Sequence, residues 1–322
     1  MKTLLLLSIL LSFSSLASAK EVSISIDGKK LGGELNVSGK DQSRAVFILS
    51  GSGPTDKDGN TTGTPGKNNS LKYLSDAFSK AEITTLRVDK RGVGTSLNAA
   101  IKESDLRFST YVEDVIHWIE FLKKQGYTDI VLVGHSEGAL VATLAASHKS
   151  VTGLVCIAGA GRPASTVLRE QLKPQLPKNL YARADQIIAS LTQGKTVKDS
   201  PASLNALFRP SVQPYLVSWF QIDPAKAVSE VKVPVLIIQG TTDIQVSTKD
   251  AKLLHNAAKG SDLIMIEGMN HVLKAVEGDL TTQMPSYFNP NLPLHKDLAQ
   301  GVIKFLKTTN TEQADELNRL QR

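Results

Sequence analysis

The chain has 322 residues, of which 41% are hydrophobic and 21% charged, and it contains a single cysteine, Cys156. This composition is that of a globular protein, so it excludes disordered, collagen-like and disulfide-rich classes. One cysteine can form neither an intrachain disulfide nor a multi-cysteine metal site. The net charge of +6 would suit an anionic partner such as nucleic acid or a membrane surface.

The first 19 residues are predicted to be a secretory signal peptide. A positive start at Lys2 precedes an apolar run over residues 4–13, and Ala17-Ser18-Ala19 is a small-x-small cleavage pattern. The apolar run is too short to span a bilayer, which takes about 20 apolar residues; an uncleaved anchor is the alternative. Cleavage would remove Lys2 and lower the net charge from +6 to +5. We therefore expect an exported protein, periplasmic or secreted, without stable membrane insertion.

Alternating apolar and polar residues over 22–26 and 31–37, on either side of Asp27-Gly28, predict an antiparallel hairpin. Later apolar runs are short and continuous, which is typical of strands covered on both faces. Segments with helical spacing separate these runs, so we expect a mostly parallel sheet with helices on both faces and the hairpin at one edge. The predicted later strands are 45–49, 83–88, 130–133, 154–157, 233–238 and 263–266, and the predicted helices are 71–80, 111–124, 139–147, 248–258 and 298–306.

The segment from about residue 162 to 230 does not follow this alternation. It has no strand-like run, it contains seven prolines, and its apolar residues are clustered, among them Leu207, Tyr215 and Trp219. We predict a helical insertion that lies over one end of the sheet, within a single domain of residues 20–322. A long helix and loop packed against the side of the sheet is the alternative.

The strongest chemical motif is Gly134-His135-Ser136-Glu137-Gly138, placed directly after a buried strand and directly before a helix. This is G-x-S-x-G in the strand–turn–helix context of a nucleophile elbow. The turn is too tight for side chains at the glycine positions, and it holds the serine in a strained conformation with its hydroxyl exposed. We therefore predict that Ser136 is a nucleophile; a chance match is the alternative.

A serine hydroxyl needs a general base, and the base needs an orienting acid. After a nucleophile elbow, the expected chain order is serine, acid, histidine. His148 and His255 fall in helical segments, and His295 precedes the last helix, whereas His271 directly follows the strand 263–266. Active-site residues of parallel sheets follow strand ends, so His271 is the predicted base and His295 the second choice.

The predicted acid is Asp243. It ends the turn Gly240-Thr-Thr-Asp243 after the strand 233–238 and lies 28 residues before His271. Asp250 and Asp262 are rivals at helical or strand-start positions. The other interpretation of Asp243 is an N-cap for the following helix.

Acyl transfer also needs donors for the developing oxyanion. One should be the backbone N–H of Glu137, next after the nucleophile, and the other should come from the loop after the strand 45–49. In that loop, 50–54, we select the N–H of Ser52, because the flanking residues are small. A simple glycine turn is the alternative.

No cofactor or metal motif accompanies these residues. The glycine-rich segment 87–96 lacks the spacing of the P-loop and of the dinucleotide fingerprint. We interpret Asp89 and Arg91 as a charge pair that shapes a loop, and Cys156 as a buried small hydrophobe in its strand.

Together these motifs resemble those of α/β-hydrolases, in the branch of secreted bacterial serine esterases and acyl-thioester-hydrolase-like proteins. The resemblance rests on residues 51–60 (GSGPTDKDGN), 89–96 (DKRGVGTS), 134–138 (GHSEG), 240–243 (GTTD) and 268–271 (GMNH). It implies the α/β-hydrolase fold, the triad Ser136, Asp243 and His271, and an insertion after the sixth strand that acts as a cap. Many members of the family have His-Gly where this chain has Ser50-Gly51.

The resulting prediction is a carboxylesterase that acts on small-molecule esters through an acyl-enzyme, without cofactor or metal. A thioesterase, an acyltransferase or a peptidase could use the same triad. A non-catalytic exported binding protein is a remote alternative. Nucleic-acid binding has no support beyond the charge, because no basic stripe with interleaved aromatic residues is present.

Overall fold

The computed structural model describes residues 18–39 and 41–320, with side chains from 19 to 309. The predicted signal peptide therefore lies outside the described residues, apart from Ser18 and Ala19, which open the first strand. No helix in the described ranges combines the length and the apolar character that crossing a membrane requires.

Within the described residues, eight strands form one sheet in the order β1-β2-β4-β3-β5-β6-β7-β8. The hairpin of β1 and β2 is antiparallel and lies at one edge, and β2 also pairs antiparallel with β4. All remaining neighbours are parallel. The strands are β1 Ser18–Ile26, β2 Lys29–Val37, β3 Arg44–Leu49, β4 Thr85–Val88, β5 Asp129–His135, β6 Val151–Ile157, β7 Val235–Gly240 and β8 Asp262–Ile266.

Helices connect the parallel strands, as the sequence pattern predicts, and two further α-helices follow β8. They are α1 Ser70–Lys80, α2 Phe108–Lys124, α3 Glu137–Ala145, α4 Ala164–Leu172, α5 Lys178–Thr192, α6 Asn205–Phe208, α7 Gln213–Phe220, α8 Pro224–Ser229, α9 Thr248–Ala257, α10 Leu280–Gln283 and α11 Lys296–Leu320. The helices α4 to α8 all lie in the connection between β6 and β7.

The sheet is covered on both faces, which explains why its central strands are continuously apolar. In β3, Val46 and Ile48 pack with α1 and α11, whereas Phe47 and its neighbours on the opposite face pack with α2, α3 and α9. Successive side chains of a strand point to opposite faces, so both sets must be apolar. Fully burying one such side chain contributes about 1.5–3 kcal/mol to stability.

Some element boundaries differ from the predicted ones for local reasons. The predicted strand 233–238 begins at Val235, because Pro234 has no N–H to donate to a neighbouring strand. The predicted strand 83–88 begins at Thr85, because the N–H of Ile83 closes the end of α1 on the carbonyl of Phe78 at 3.0 Å. The last helix continues beyond residue 306 to Leu320.

The interpretation of Asp89 and Arg91 as a charge pair is wrong. Arg91 instead pairs with Asp114 of α2 through three hydrogen bonds of 3.0, 2.7 and 2.6 Å. Asp89 accepts from the N–H of Lys57 at 2.7 Å and from the N–H and hydroxyl of Thr95 at 2.8 and 2.7 Å. Two backbone N–H groups and a hydroxyl satisfy this carboxylate, so it ties two loops together.

The helices between β6 and β7 reach the end of the sheet where β5 meets α3. Trp219 of α7 stacks on Phe108 at the start of α2, with ring centroids 5.7 Å apart. Tyr215, one turn earlier, donates its hydroxyl to Glu137 at 2.7 Å. This part of the chain therefore packs over the residue that follows Ser136.

Candidate active site

Ser136 occupies the tight turn between β5 and α3. Its backbone has φ 55° and ψ −121°, a conformation that is strained for a residue with a side chain. A Cβ on Gly134 would lie 2.2 Å from the carbonyl oxygen of Gly138, and one on Gly138 would lie 2.6 Å from those of Leu49 and Ser50. Only glycine fits at either position, so the two glycines are steric requirements of the turn.

The predicted serine, histidine and aspartate lie together at the carboxyl ends of β5, β8 and β7. Nε2 of His271 is 3.1 Å from the hydroxyl oxygen of Ser136, and its Nδ1 is 2.8 Å from a carboxylate oxygen of Asp243. His271 is only 5% exposed. The arrangement can pass the proton of Ser136 to the imidazole while the carboxylate holds the other ring nitrogen.

The surroundings of Asp243 favour its ionised form. Burial by itself raises the pKa of this carboxyl, but the facing His271 and the hydrogen bonds that the carboxylate accepts lower it further than burial raises it. The backbone N–H groups of Gln245 and Val246 donate to one oxygen at 2.7 and 2.9 Å. Asp243 is therefore a charged acceptor for the N–H of His271.

Neither of the rival carboxylates contacts His271. Asp250 pairs with Arg162 at 2.8 Å and caps α9 through Ser247. Asp262 is exposed at the start of β8.

The other histidines after Ser136 also have different partners. His295 lies 3.7 Å from Asp297, and His148, in the turn after α3, contacts Glu120 at 2.8 Å. His255 lies on α9 and contacts the hydroxyl of Ser261 at 2.9 Å. The structure therefore groups Ser136 with Asp243 and His271.

His135 also belongs to the site, although it was not among the predicted functional residues. Its Nε2 lies 2.8 Å from the backbone carbonyl oxygen of His271, and the two ring centroids are 5.0 Å apart. Burial and the neighbouring His271 lower the pKa of His135 to about 4, so its ring is neutral at pH 7 and Nε2–H donates to that carbonyl. Its place within the elbow motif was visible in the sequence, but its partner 136 residues away was not.

Both predicted oxyanion donors lie close to Ser136. A Cβ on Gly51 would be 3.2 Å from the Cβ of Ser136, so the peptide between Gly51 and Ser52 passes close to the serine. The N–H of Ser52 has no acceptor among the loop backbone hydrogen bonds of the described residues. The N–H of Glu137, at the first position of α3, has no preceding helical turn to bond. Neither N–H group therefore has a backbone carbonyl acceptor among the described residues.

Two concave surfaces meet at Ser136. The larger, a cavity of about 610 Å³, lies beneath the helices between β6 and β7 and extends from Ser52 and Ser136. The smaller, about 200 Å³, is a groove on the His271 side, lined mainly by polar residues of the loop after β3. The apolar side chains of the larger cavity include Leu140, Val167, Leu168, Val212, Leu216, Trp219 and Phe220.

Within the described residues, no cluster of three or more histidine, cysteine, aspartate or glutamate side chains could hold a metal ion. Cys156 is 1% exposed within β6, and burial raises the pKa of its thiol to about 11. The thiol is therefore an inert part of the core at neutral pH.

Comparison with known proteins places this geometry in a family. Residues 66–275, more than half of the chain, match the family described as serine aminopeptidase, S33. The chain is 26% identical to esterase EstD of Thermotoga maritima over 269 residues, which is 82% of this chain and 62% of that protein. The matched region thus covers less than two thirds of that relative.

Solved structures share the fold. Est1E of Butyrivibrio proteoclasticus aligns with a TM-score of 0.58 at 18% identity, over 90% of this chain and 99% of that one. The Pyrococcus furiosus esterase Pf2001 aligns with a TM-score of 0.56 at 18% identity, over 91% and 93% of the two chains. The sheet order, the elbow and the family match agree, and the chain belongs to the serine aminopeptidase S33 family of α/β-hydrolases.

Proposed function

We propose that the protein is a serine hydrolase that cleaves carboxylic esters through an acyl-enzyme. The observation that carries this proposal is the continuous contact from Ser136 through His271 to Asp243, with Ser136 held in a nucleophile elbow. The relatives named esterases, EstD, Est1E and Pf2001, support the choice of ester substrates.

In the first step, the oxygen of Ser136 attacks the ester carbonyl carbon while His271 takes the serine proton. Asp243 keeps the N–H of the imidazole on Nδ1 and stabilises the imidazolium. The N–H groups of Ser52 and Glu137 donate to the oxyanion. His271 then returns the proton to the alcohol oxygen as the ester C–O bond breaks. Water repeats the sequence on the acyl-enzyme and releases the acid.

The side chains near Ser136 favour an ester over the peptide substrate that the family description suggests. An aminopeptidase must bind the α-ammonium group of its substrate, and a carboxylate is the strongest hydrogen-bond partner for that group. Among the described residues that line the two concave surfaces, the only carboxylate is Glu137, which already contacts Lys90 and Tyr215.

The carboxylates that pair with the arginines of the larger cavity are also engaged and not free to bind an ammonium group. Arg162 lines that cavity and is paired with Asp250 and Glu170, and Arg209 lines it and is paired with Glu103. A panel of nitrophenyl esters, acyl thioesters and aminoacyl anilides would test the choice. We expect turnover of the esters, and cleavage of the anilides alone would contradict the proposal.

The large cavity supports an apolar acyl group, and filling it should shorten the preferred acyl chain. Ala164 lines the cavity at the start of α4, so Ala164→Phe should lower kcat/KM for octanoate esters by about 10-fold or more, because an apolar pocket discriminates by chain length. Acetate esters should be affected less than about 2-fold. The measurement is kcat/KM over nitrophenyl esters of increasing acyl length.

Ala202→Phe is the matched control for this series. Ala202 is exposed, and it lies in the same connection between β6 and β7 without lining the cavity. A uniform loss of activity over all acyl lengths in Ala164→Phe would contradict the placement of the acyl chain in this cavity.

We further propose that the protein is exported and loses residues 1–19. The charged start, the apolar run and the Ala17-Ser18-Ala19 pattern support this proposal. N-terminal sequencing of the protein recovered outside the cytoplasm should give a chain that begins at Lys20. A chain that retains Met1 in that fraction would contradict cleavage.

A further inference from the structure

Lys90 contacts the peptide unit of one proposed oxyanion donor and the side chain of the residue that supplies the other. Its ammonium group donates to the carbonyl oxygen of Gly51 at 2.5 Å and lies 3.5 Å from a carboxylate oxygen of Glu137. The side chains of Lys90 and Glu137 are only 12% and 2% exposed. Lys90 follows β4 in the glycine-rich segment 87–96, which has no other role in the proposed reaction.

A gain in folding stability does not explain the ion pair of Lys90 and Glu137. Removing two charges from water costs several kcal/mol per ion in general, and their attraction often does no more than offset that cost. Burial accordingly lowers the pKa of Lys90, against the opposing effect of Glu137. Stability alone therefore gives no reason for the pair, whereas the contacts of Lys90 with Gly51 and Glu137 indicate a role in specifying geometry.

Peptide geometry shows what Lys90 controls. The carbonyl of Gly51 and the N–H of Ser52 belong to one peptide unit, and the described chain contains no cis peptide bond. In a trans peptide the carbonyl and the N–H point in opposite directions. Because Lys90 holds the carbonyl on its own side, the N–H of Ser52 points away from Lys90.

The residue that supplies the second donor is contacted by the same ammonium group. Glu137 supplies the other proposed N–H, and its side chain is fixed by Lys90 and by the hydroxyl of Tyr215, 2.7 Å away. A cation bonded to the carbonyl of Gly51 also polarises that peptide, which strengthens the N–H of Ser52 as a donor.

We propose that Lys90 is a positioning residue that orients the Gly51–Ser52 peptide and the Glu137 turn as one oxyanion hole. Tyr215 of α7 also donates to Glu137. Glu137 therefore links the oxyanion donors to the helices that lie over the site. The proposal rests on the proposed function, since the oxyanion in question is the tetrahedral intermediate of the proposed acyl transfer.

The test separates transition-state stabilisation from folding and from substrate binding. Lys90→Met keeps most of the side-chain volume and removes the ammonium group. We expect kcat to fall by about 10- to 100-fold, below the about 10²–10³-fold loss of a whole donor, with KM changed less than about 2-fold. Binding of a trifluoromethyl ketone, which adds Ser136 to form a tetrahedral oxyanion, should weaken by a similar factor. Binding of the corresponding methyl carbinol, which forms no oxyanion, should not change.

Lys57→Met is the matched control, because Lys57 forms ion pairs with Glu34 and Asp58 near the same loop without bonding Gly51. It should retain wild-type kcat. If Lys90→Met does not fold, Glu137→Gln removes the counter-charge and keeps the Lys90–Gly51 bond. That variant should also weaken trifluoromethyl ketone binding without weakening carbinol binding.

Equal weakening of ketone and carbinol binding, or an unchanged kcat in Lys90→Met, would overturn the positioning role. Failure of the wild-type enzyme to form the ketone adduct would instead overturn the proposed function itself. The two failures are therefore distinguishable.

Discussion

Replacing Ser136 by alanine is expected to lower kcat for ester hydrolysis by about 10⁶-fold, the scale seen when a triad serine is removed from a serine protease. The substitution deletes the oxygen that His271 contacts at 3.1 Å, so no acyl-enzyme can form. Alanine carries a Cβ as serine does, so it should meet the same backbone strain at φ 55°, and the thermal midpoint should change little. Steady-state kinetics and thermal unfolding measure both effects.

A fluorophosphonate probe gives an independent measurement of the same residue. The oxygen of Ser136 forms a bond to phosphorus, fluoride leaves, and His271 receives the serine proton. Wild type and Ser147→Ala should be labelled, because Ser147 is exposed in the turn after α3, and Ser136→Ala should not. Labelling that survives in Ser136→Ala would show that another residue is the nucleophile.

Asp243→Asn is expected to lower kcat by about 10⁴-fold with little change in structure. The side-chain amide is close in size to the carboxylate, but its NH₂ group can donate to Nδ1 of His271. The imidazole would then carry its proton on Nε2, facing Ser136, and could not accept the serine proton. The loss of negative charge also removes the stabilisation of the imidazolium. Steady-state kinetics with a nitrophenyl ester measure kcat.

Asp262→Asn is the matched control for this substitution. Asp262 was a rival candidate in the sequence, and it lies exposed at the start of β8. The control should retain wild-type kcat. A loss smaller than about 10-fold in Asp243→Asn, far below the effect expected for the triad acid, would assign the orienting role to another group.

The predicted grouping of Ser136, Asp243 and His271 used information that is local in the chain. Each residue directly follows an apolar strand run, and the carboxyl ends of parallel strands meet at one edge of the sheet. Periodicity alone could separate His271 from His255, which lies on α9. The same reasoning excluded Asp262, which begins a strand instead of following one.

Predictions of charge pairing were less successful. Asp89 and Arg91 are two residues apart and of opposite sign, but Arg91 contacts Asp114 on α2 and Asp89 accepts backbone N–H groups. Opposite charge close in sequence does not determine a pair, because a carboxylate is satisfied equally well by backbone donors. Which donors reach it depends on how the loops after β3 and β4 pack together.

The sequence by itself determined the alternation of strands and helices, the elbow at Ser136 and the order of the three candidate residues. These follow from short-range sterics and periodicity, such as the two glycines that the turn requires. Only the tertiary structure decided the partner of His135, the orientation of the Ser52 N–H and the bond from Tyr215 to Glu137. Lys90 reaches Gly51 across 39 residues of chain, and Tyr215 reaches Glu137 across 78. Contacts of that range depend on the packing of whole elements, which no local pattern specifies.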